Sequence, residues 1–142
     1  MIHFVFLSDK FYRDYASCTE IERKNTRPYI QVQVVVNGVL FGVPLRSNIN
    51  HPNVLWTDKA SRCGVDFSKA VVIVDPQNYI DHSREPYIRP NEFRELKGKE
   101  YIIQEKLKKY IESYKKAKLH PGIERNRLLL RYSTLQYFEE YI

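Results

Sequence analysis

Positions 46 to 51 read Arg46, Ser47, Asn48, Ile49, Asn50 and His51. A tight connection needs only a few short polar side chains to satisfy its own backbone. It does not need a guanidinium, a hydroxyl and an imidazole together. As a set these groups suit RNA cleavage without a metal. RNA carries its own nucleophile, the 2′-hydroxyl. The reaction then needs a base for that hydroxyl, cations for the charge growing on phosphorus, and an acid for the leaving 5′ oxygen. Histidine, with an unperturbed pKa of about 6.5, serves either proton transfer near neutral pH. Arginine stays charged and grips two phosphate oxygens at once. A serine hydroxyl can orient the reacting groups. Singly, each residue has a plainer assignment: Arg46 as a surface arginine, Ser47-Asn48 as a turn bonding its own backbone, His51 before Pro52 as an ordinary loop residue. Their clustering is what favours chemistry.

The flanking pattern brings a further cation to the same place. "PYIQVQVVV" alternates Ile30, Val32, Val34 and Val36 against Gln31, Gln33 and Val35, which is strand periodicity. Asn37-Gly38 is a strong hairpin signal, because both turn positions need positive φ. "VLFGVPL" (39–45) is the return strand. Antiparallel pairing about residues 37 and 38 sets Arg27 beside residues 47 and 48. Arg27, Arg46, Ser47 and His51 therefore form the candidate catalytic set.

Further strands are expected over 2–7, 54–57 and 69–75, and a short helix opens at Ser8-Asp9, with Phe11, Tyr12 and Tyr15 as its apolar stripe. Pro90-Asn91 opens a second helix that Gly98 stops. A longer one follows, with Ile103, Leu107, Tyr110, Ile111 and Tyr114 at helical spacing. "HPGIERN" breaks it, and "STLQYFEEYI" is expected to form a terminal helix with Leu135, Phe138 and Tyr141 on one side. Strands first and helices later describe an α+β domain over residues 1–142, with a strongly bent antiparallel sheet flanked by helices, mostly C-terminal.

Residues 97–118 hold eight lysines and three glutamates, so five of the six net positive charges fall in that stretch. A basic band on an otherwise balanced chain points to a polyanion, nucleic acid or an acidic membrane surface, although a lysine-rich helix is more commonly just a solvated face. No apolar run approaches the ~20 residues of a bilayer span. "MIHFVFLSDKFYRD" lacks the basic lead and long apolar stretch of an export signal, so a cytoplasmic protein with Cys18 and Cys63 reduced is expected. His3, His51, His82 and His120 form no ligand pair, so no structural zinc is expected. Asp58, Asp66 and Asp75 offer only weak support for a two-metal nuclease. Ser47 with His51 has no nucleophile elbow for acyl transfer. A duplex-DNA regulator would want a helix-turn-helix pattern that is not present.

The stretch "RPYIQVQVVVNGVLFGVPLRSNINHPNVLWTDK", with "DFSKAVVIVD" and the C-terminal helices, resembles the toxins of type III toxin–antitoxin systems, the ToxN/AbiQ-like endoribonucleases, and among them the TenpN branch. The resemblance covers nearly the whole chain. It implies a compact core related to the Kid/MazF-like toxins, a barrel-like sheet with added helices. It also implies a metal-independent RNase, needing no cofactor, that cleaves messenger RNA and its own repetitive antitoxin RNA. The folded repeats, often pseudoknots, then hold it inactive in a protein–RNA assembly. Arg27 occupies the place of a basic residue found before the second strand in the family. Ser47 matches the second of two adjacent hydroxyl residues, and Arg46 stands where the other would be. Ile49 replaces a family lysine, which leaves the general base and acid unassigned. Within this frame Lys24, Asn48, Asn50, Lys59, Lys69, Lys106, Lys109 and Lys116 are the expected RNA contacts. The alternative is an RNA-binding module that uses the same basic face without catalysis.

Overall fold

A computed structural model describes residues 1–23 and 28–142. Strands form at β1 (Phe4–Leu7), β2 (Ile30–Val36), β3 (Val39–Arg46), β4 (Val54–Asp58), β5 (Cys63–Asp66), β6 (Val71–Val72) and β7 (Ile80–Asp81). They build one antiparallel sheet in the order β4-β5-β3-β2-β1-β7, with β6 attached to β3. The helices are α1 (Asp9–Asp14), α2 (Pro76–Tyr79), α3 (Pro90–Leu96), α4 (Glu100–Leu119) and α5 (Glu124–Tyr132). The architecture is mixed α+β. Among the described residues no pairing joins β4 to β7, so the sheet is open and the pairing does not make a barrel.

The β2–β3 hairpin forms as its alternation requires. Asn37 and Gly38 take φ of 52° and 78°, the positive values a two-residue turn needs. One edge of β3 pairs with β2 from Val39 to Pro44. Its other edge is shared: Phe41 and Gly42 face Val72 and Val71 of β6, while Leu45 and Arg46 face Val65 and Gly64 of β5. That fork carries Arg46 to within two positions of Asp66 on the neighbouring strand.

Helix α4 buries Ile103, Leu107, Tyr110, Ile111, Tyr114 and Ala117, the stripe its spacing predicts plus one alanine. It lies against β2, where Gln104 Nε2 donates to the Val35 carbonyl at 2.7 Å. Ile103, Leu107, Tyr110, Ile111 and Tyr114 join Phe41, Val43, Val65, Leu135 and Phe138 in one core.

The strand expected over 69–75 shrinks to Val71–Val72. Before it, the Asp66 side chain accepts from Ser68 N and winds Phe67–Lys69 into a 3₁₀ turn. After it, Asp75 caps α2, with Pro76 at its first position. The expected terminal helix is also displaced: α5 occupies 124–132, and residues 134–141 form two 3₁₀ turns. Ser133 ends α5, its hydroxyl accepting from Leu135 N and from the Tyr110 hydroxyl. Thr134 then donates to the Ser68 and Ala70 carbonyls and pins the chain to the sheet. Leu135 and Phe138 are buried, whereas Tyr141 is exposed, so the three do not share a face.

Candidate functional site

The loop after β3 is held from below. Ile49, at the position where the family resemblance expects a lysine, is 2% exposed and plugs the loop into the fold. Arg62 clamps it: Nε donates to the Ile49 carbonyl at 2.9 Å, Nη2 to the Asn48 carbonyl at 3.4 Å, and Ile49 N donates to the Arg62 carbonyl at 3.1 Å. Asn48 takes φ of 57°, a left-handed conformation that asparagine tolerates. Ser47, Asn48 and Asn50 are left exposed above this anchor.

Arg46 and His51 come together on Asp66. This carboxylate is 0% exposed. Arg46 Nη1 donates to its Oδ2 at 2.5 Å, and His51 Nε2 lies 3.1 Å from its Oδ1. Ser68 donates to the same Oδ1 from its hydroxyl at 2.6 Å and from its backbone at 3.0 Å. Burial pushes the Asp66 carboxyl up. The bonds from His51 and Ser68, the field of His51 and the Arg46 bond outweigh it and hold the group below its ordinary value. Arg46 also meets Glu22 Oε1 at 3.2 Å. Burial draws the guanidinium down, but Asp66 and Glu22 more than compensate and keep it charged. Two carboxylates on one arginine weaken the field it projects outward.

His51 has neither ring nitrogen idle. Nδ1 accepts from Asn53 N at 3.1 Å, which places the proton of the neutral ring on Nε2. That proton faces Asp66 and the Ser68 hydroxyl, 3.1 Å away.

Arg46 and Ser47 also line a groove of about 350 Å³. The register that pairs Gln31 with Pro44 carries Pro28 and Tyr29 toward Ser47 and Arg46, and all four border it. The far wall comes from Arg84, Tyr87, Ile88 and Arg89, which lie between β7 and α3, with Glu92 of α3. The sequence pattern assigns no element to residues 77–89. The interleaved basic and aromatic residues in "REPYIRP" are the signal that could have flagged this wall.

The other expected residues lie elsewhere. Lys69 is turned inward, donating to the Glu20 and Tyr132 carbonyls at 3.2 Å each, with Glu22 3.9 Å away. It braces the network and does not line the groove. Lys59 is exposed just beyond β4, and Lys106, Lys109 and Lys116 are exposed on α4 opposite its buried stripe. None of these four lines the groove. Lys24 and Arg27 fall outside the described residues. Asp75 caps α2, and Asp58 accepts from Ser61 N, so the three aspartates weighed as metal ligands serve separate local roles. Among the described residues no group of three or more His, Cys, Asp or Glu converges as a metal site. Cys18 and Cys63 are both free thiols, and burial pushes the Cys63 thiol up. No described helix is long and apolar enough to cross a membrane.

No protein-family model, curated protein or solved structure gives a significant match to this chain.

Proposed function

We propose that this chain is a metal-independent endoribonuclease, a cytoplasmic toxin of the ToxN/AbiQ-like, TenpN kind. Its open sheet would be a Kid/MazF-like core that lacks closure. The observation that carries this is the sharing of one groove by an exposed serine, Ser47, and three arginines, Arg46, Arg84 and Arg89. In the reaction the 2′-hydroxyl attacks the adjacent phosphorus, its proton passes to a base, and the departing 5′ oxygen gains a proton. The products are a 2′,3′-cyclic phosphate and a 5′-hydroxyl. Ser47 positions the scissile phosphate. Arg46 lends its guanidinium charge to the phosphate; its Nε is buried and has no hydrogen-bond partner among the described residues, so donating from it to a phosphate oxygen requires the side chain to shift. Arg27 supplies a further cation. His51 handles one proton, and taking it up at Nδ1 requires the Asn53 N–H to give way. Folded repeats of antitoxin RNA, as pseudoknots, inhibit the enzyme by covering the same groove, and target messages enter it.

The test is purified protein with RNA in EDTA. Cleavage should persist, leaving cyclic-phosphate ends, and Ser47→Ala should abolish it while leaving stability within about 0.5 kcal/mol, as is usual for an exposed side chain. An absolute need for divalent metal would falsify the mechanism. One observation favours a second reading, that of a non-catalytic RNA-binding module: both nitrogens of His51 are already engaged within the protein. That reading expects RNA to be bound but never cut, at any protein concentration.

A further inference from the structure

We propose that the groove admits one unpaired nucleotide of a single-stranded RNA, with its base against the Tyr87 ring and its phosphate at the Arg89 guanidinium. This rests on the preceding reading only in that the polyanion is RNA.

Tyr29 and Tyr87 each sit in a Pro-Tyr-Ile triplet, Pro28-Tyr29-Ile30 and Pro86-Tyr87-Ile88, and they reach the groove from two separate segments. The prolines restrict the backbone before each ring, so the rings are presented at little entropic cost. Tyr87 is 77% exposed, an amphipathic face left open at the groove. The arginines differ in what they can offer. Arg84 is bound to Asp81 at 2.9 Å and lies 4.9 Å over the Phe6 ring, and Arg46 is held by Asp66 and Glu22. The Arg89 side chain is 68% exposed, and the carboxylate it is paired with, Glu92, is 3.9 Å away, a weak surface contact. Arg89 therefore retains donors for a phosphate.

A ring near an exposed cation suits a base and its phosphate, since every base has a stacking face. The volume, about 350 Å³, is at the small end of ligand sites and holds a single small unit. An A-form duplex keeps its bases stacked inside and presents phosphates and 2′-hydroxyls, so it has nothing to place on Tyr87. Ser47 borders the same groove, so a nucleotide seated there shares the groove with the proposed scissile position.

The test is fluorescence anisotropy with a short mixed-sequence oligoribonucleotide carrying 2′-fluoro groups, which remove the attacking hydroxyl. Binding to the single strand should exceed binding to the same sequence as a duplex. Tyr87→Ala and Arg89→Gln should each weaken it about tenfold, within the range measured for a stacked base, and Tyr87→Phe should retain it. Thermal unfolding of the variants should match the parent, since both side chains are mostly exposed. Tyr87→Ala binding at parental strength, or equal binding of duplex and single strand, overturns the nucleotide site. Cleavage of unmodified RNA is scored separately. Its absence beside Tyr87-dependent binding would remove the enzyme and keep the site, and cleavage without Tyr87 dependence would do the reverse.

Discussion

At the scale of single residues, the two side chains that the sequence nominates for phosphate and proton work, Arg46 and His51, are both spoken for by Asp66. A buried carboxylate costs a great deal unless paired, and here the pairing is what aims both side chains. Removing that charge leaves Arg46, 19% exposed, with Glu22 as its one remaining carboxylate among the described residues. Asp66→Asn should cost about 3 kcal/mol at neutral pH, the lower end of what breaking a buried pair costs. The pH dependence follows from the sign of the shift. Asp66 is depressed in the folded state, so its contribution is fully present above the ordinary carboxylate value of about 3.9 and is lost as pH falls through the lower folded value. The gap between parent and Asp66→Asn in urea unfolding should therefore narrow only below about pH 4. A gap that is constant down to strong acid would show that Asp66 does not carry the charge assigned to it.

The elements matter through one hand-off. β3 leaves β6 after Gly42 and meets β5 at Leu45, and that switch brings Arg46 to Asp66. β5 can pack this closely against β4 because Gly64 has no side chain: a Cβ there would lie 2.5 Å from the Leu55 carbonyl oxygen and 2.7 Å from Val54 Cγ2. A backbone oxygen cannot turn aside as a flexible side chain can. Gly64→Ala should destabilise the protein by about 1–3 kcal/mol, the range for overpacking, and should pull Asp66 out of register with Arg46. Denaturant unfolding reads the first effect. The second should appear as a loss of RNA binding larger than the stability loss accounts for, and unchanged affinity would uncouple the strand junction from the site.

For the molecule as a whole, the basic band and the groove are distinct surfaces. Lys106, Lys109 and Lys116 stand on the solvent side of α4, and the groove is built by β1, the β2–β3 end, β5, the segment after β7 and the start of α3. A long single strand that enters the groove and also follows α4 would release counterions at both surfaces. Affinity should then fall with salt, with a log–log slope of about 0.7 per neutralised phosphate. Changing Lys106, Lys109 and Lys116 to Gln should lower that slope by roughly two, at ~0.7 each, while leaving binding of a very short oligonucleotide in the groove nearly unchanged. An unaltered slope would make the band a solvated helix face and no more.

What could be read from the chain alone was what period encodes. Alternation over residues 30–36 with Asn37-Gly38 defined the central hairpin, and the 3.6-residue spacing from Ile103 to Tyr114 defined the buried side of α4. The clustering of Arg46, Ser47 and His51 was likewise visible, being local. The partner that orients Arg46 and His51 was not, because Asp66 is 20 and 15 positions away and the β3–β5 junction alone brings it near. β5 and β7 escaped for the same reason: four residues and two carry no periodic signal, and pairing with a neighbour creates them. The apolar spacing at the end of the chain does not become one helix, because Ser133 accepts from the distant Tyr110 hydroxyl and Thr134 donates to the Ser68 carbonyl. Local periodicity determines which face of an element is buried. Which polar groups finally meet is decided by strand register, a property of the whole sheet.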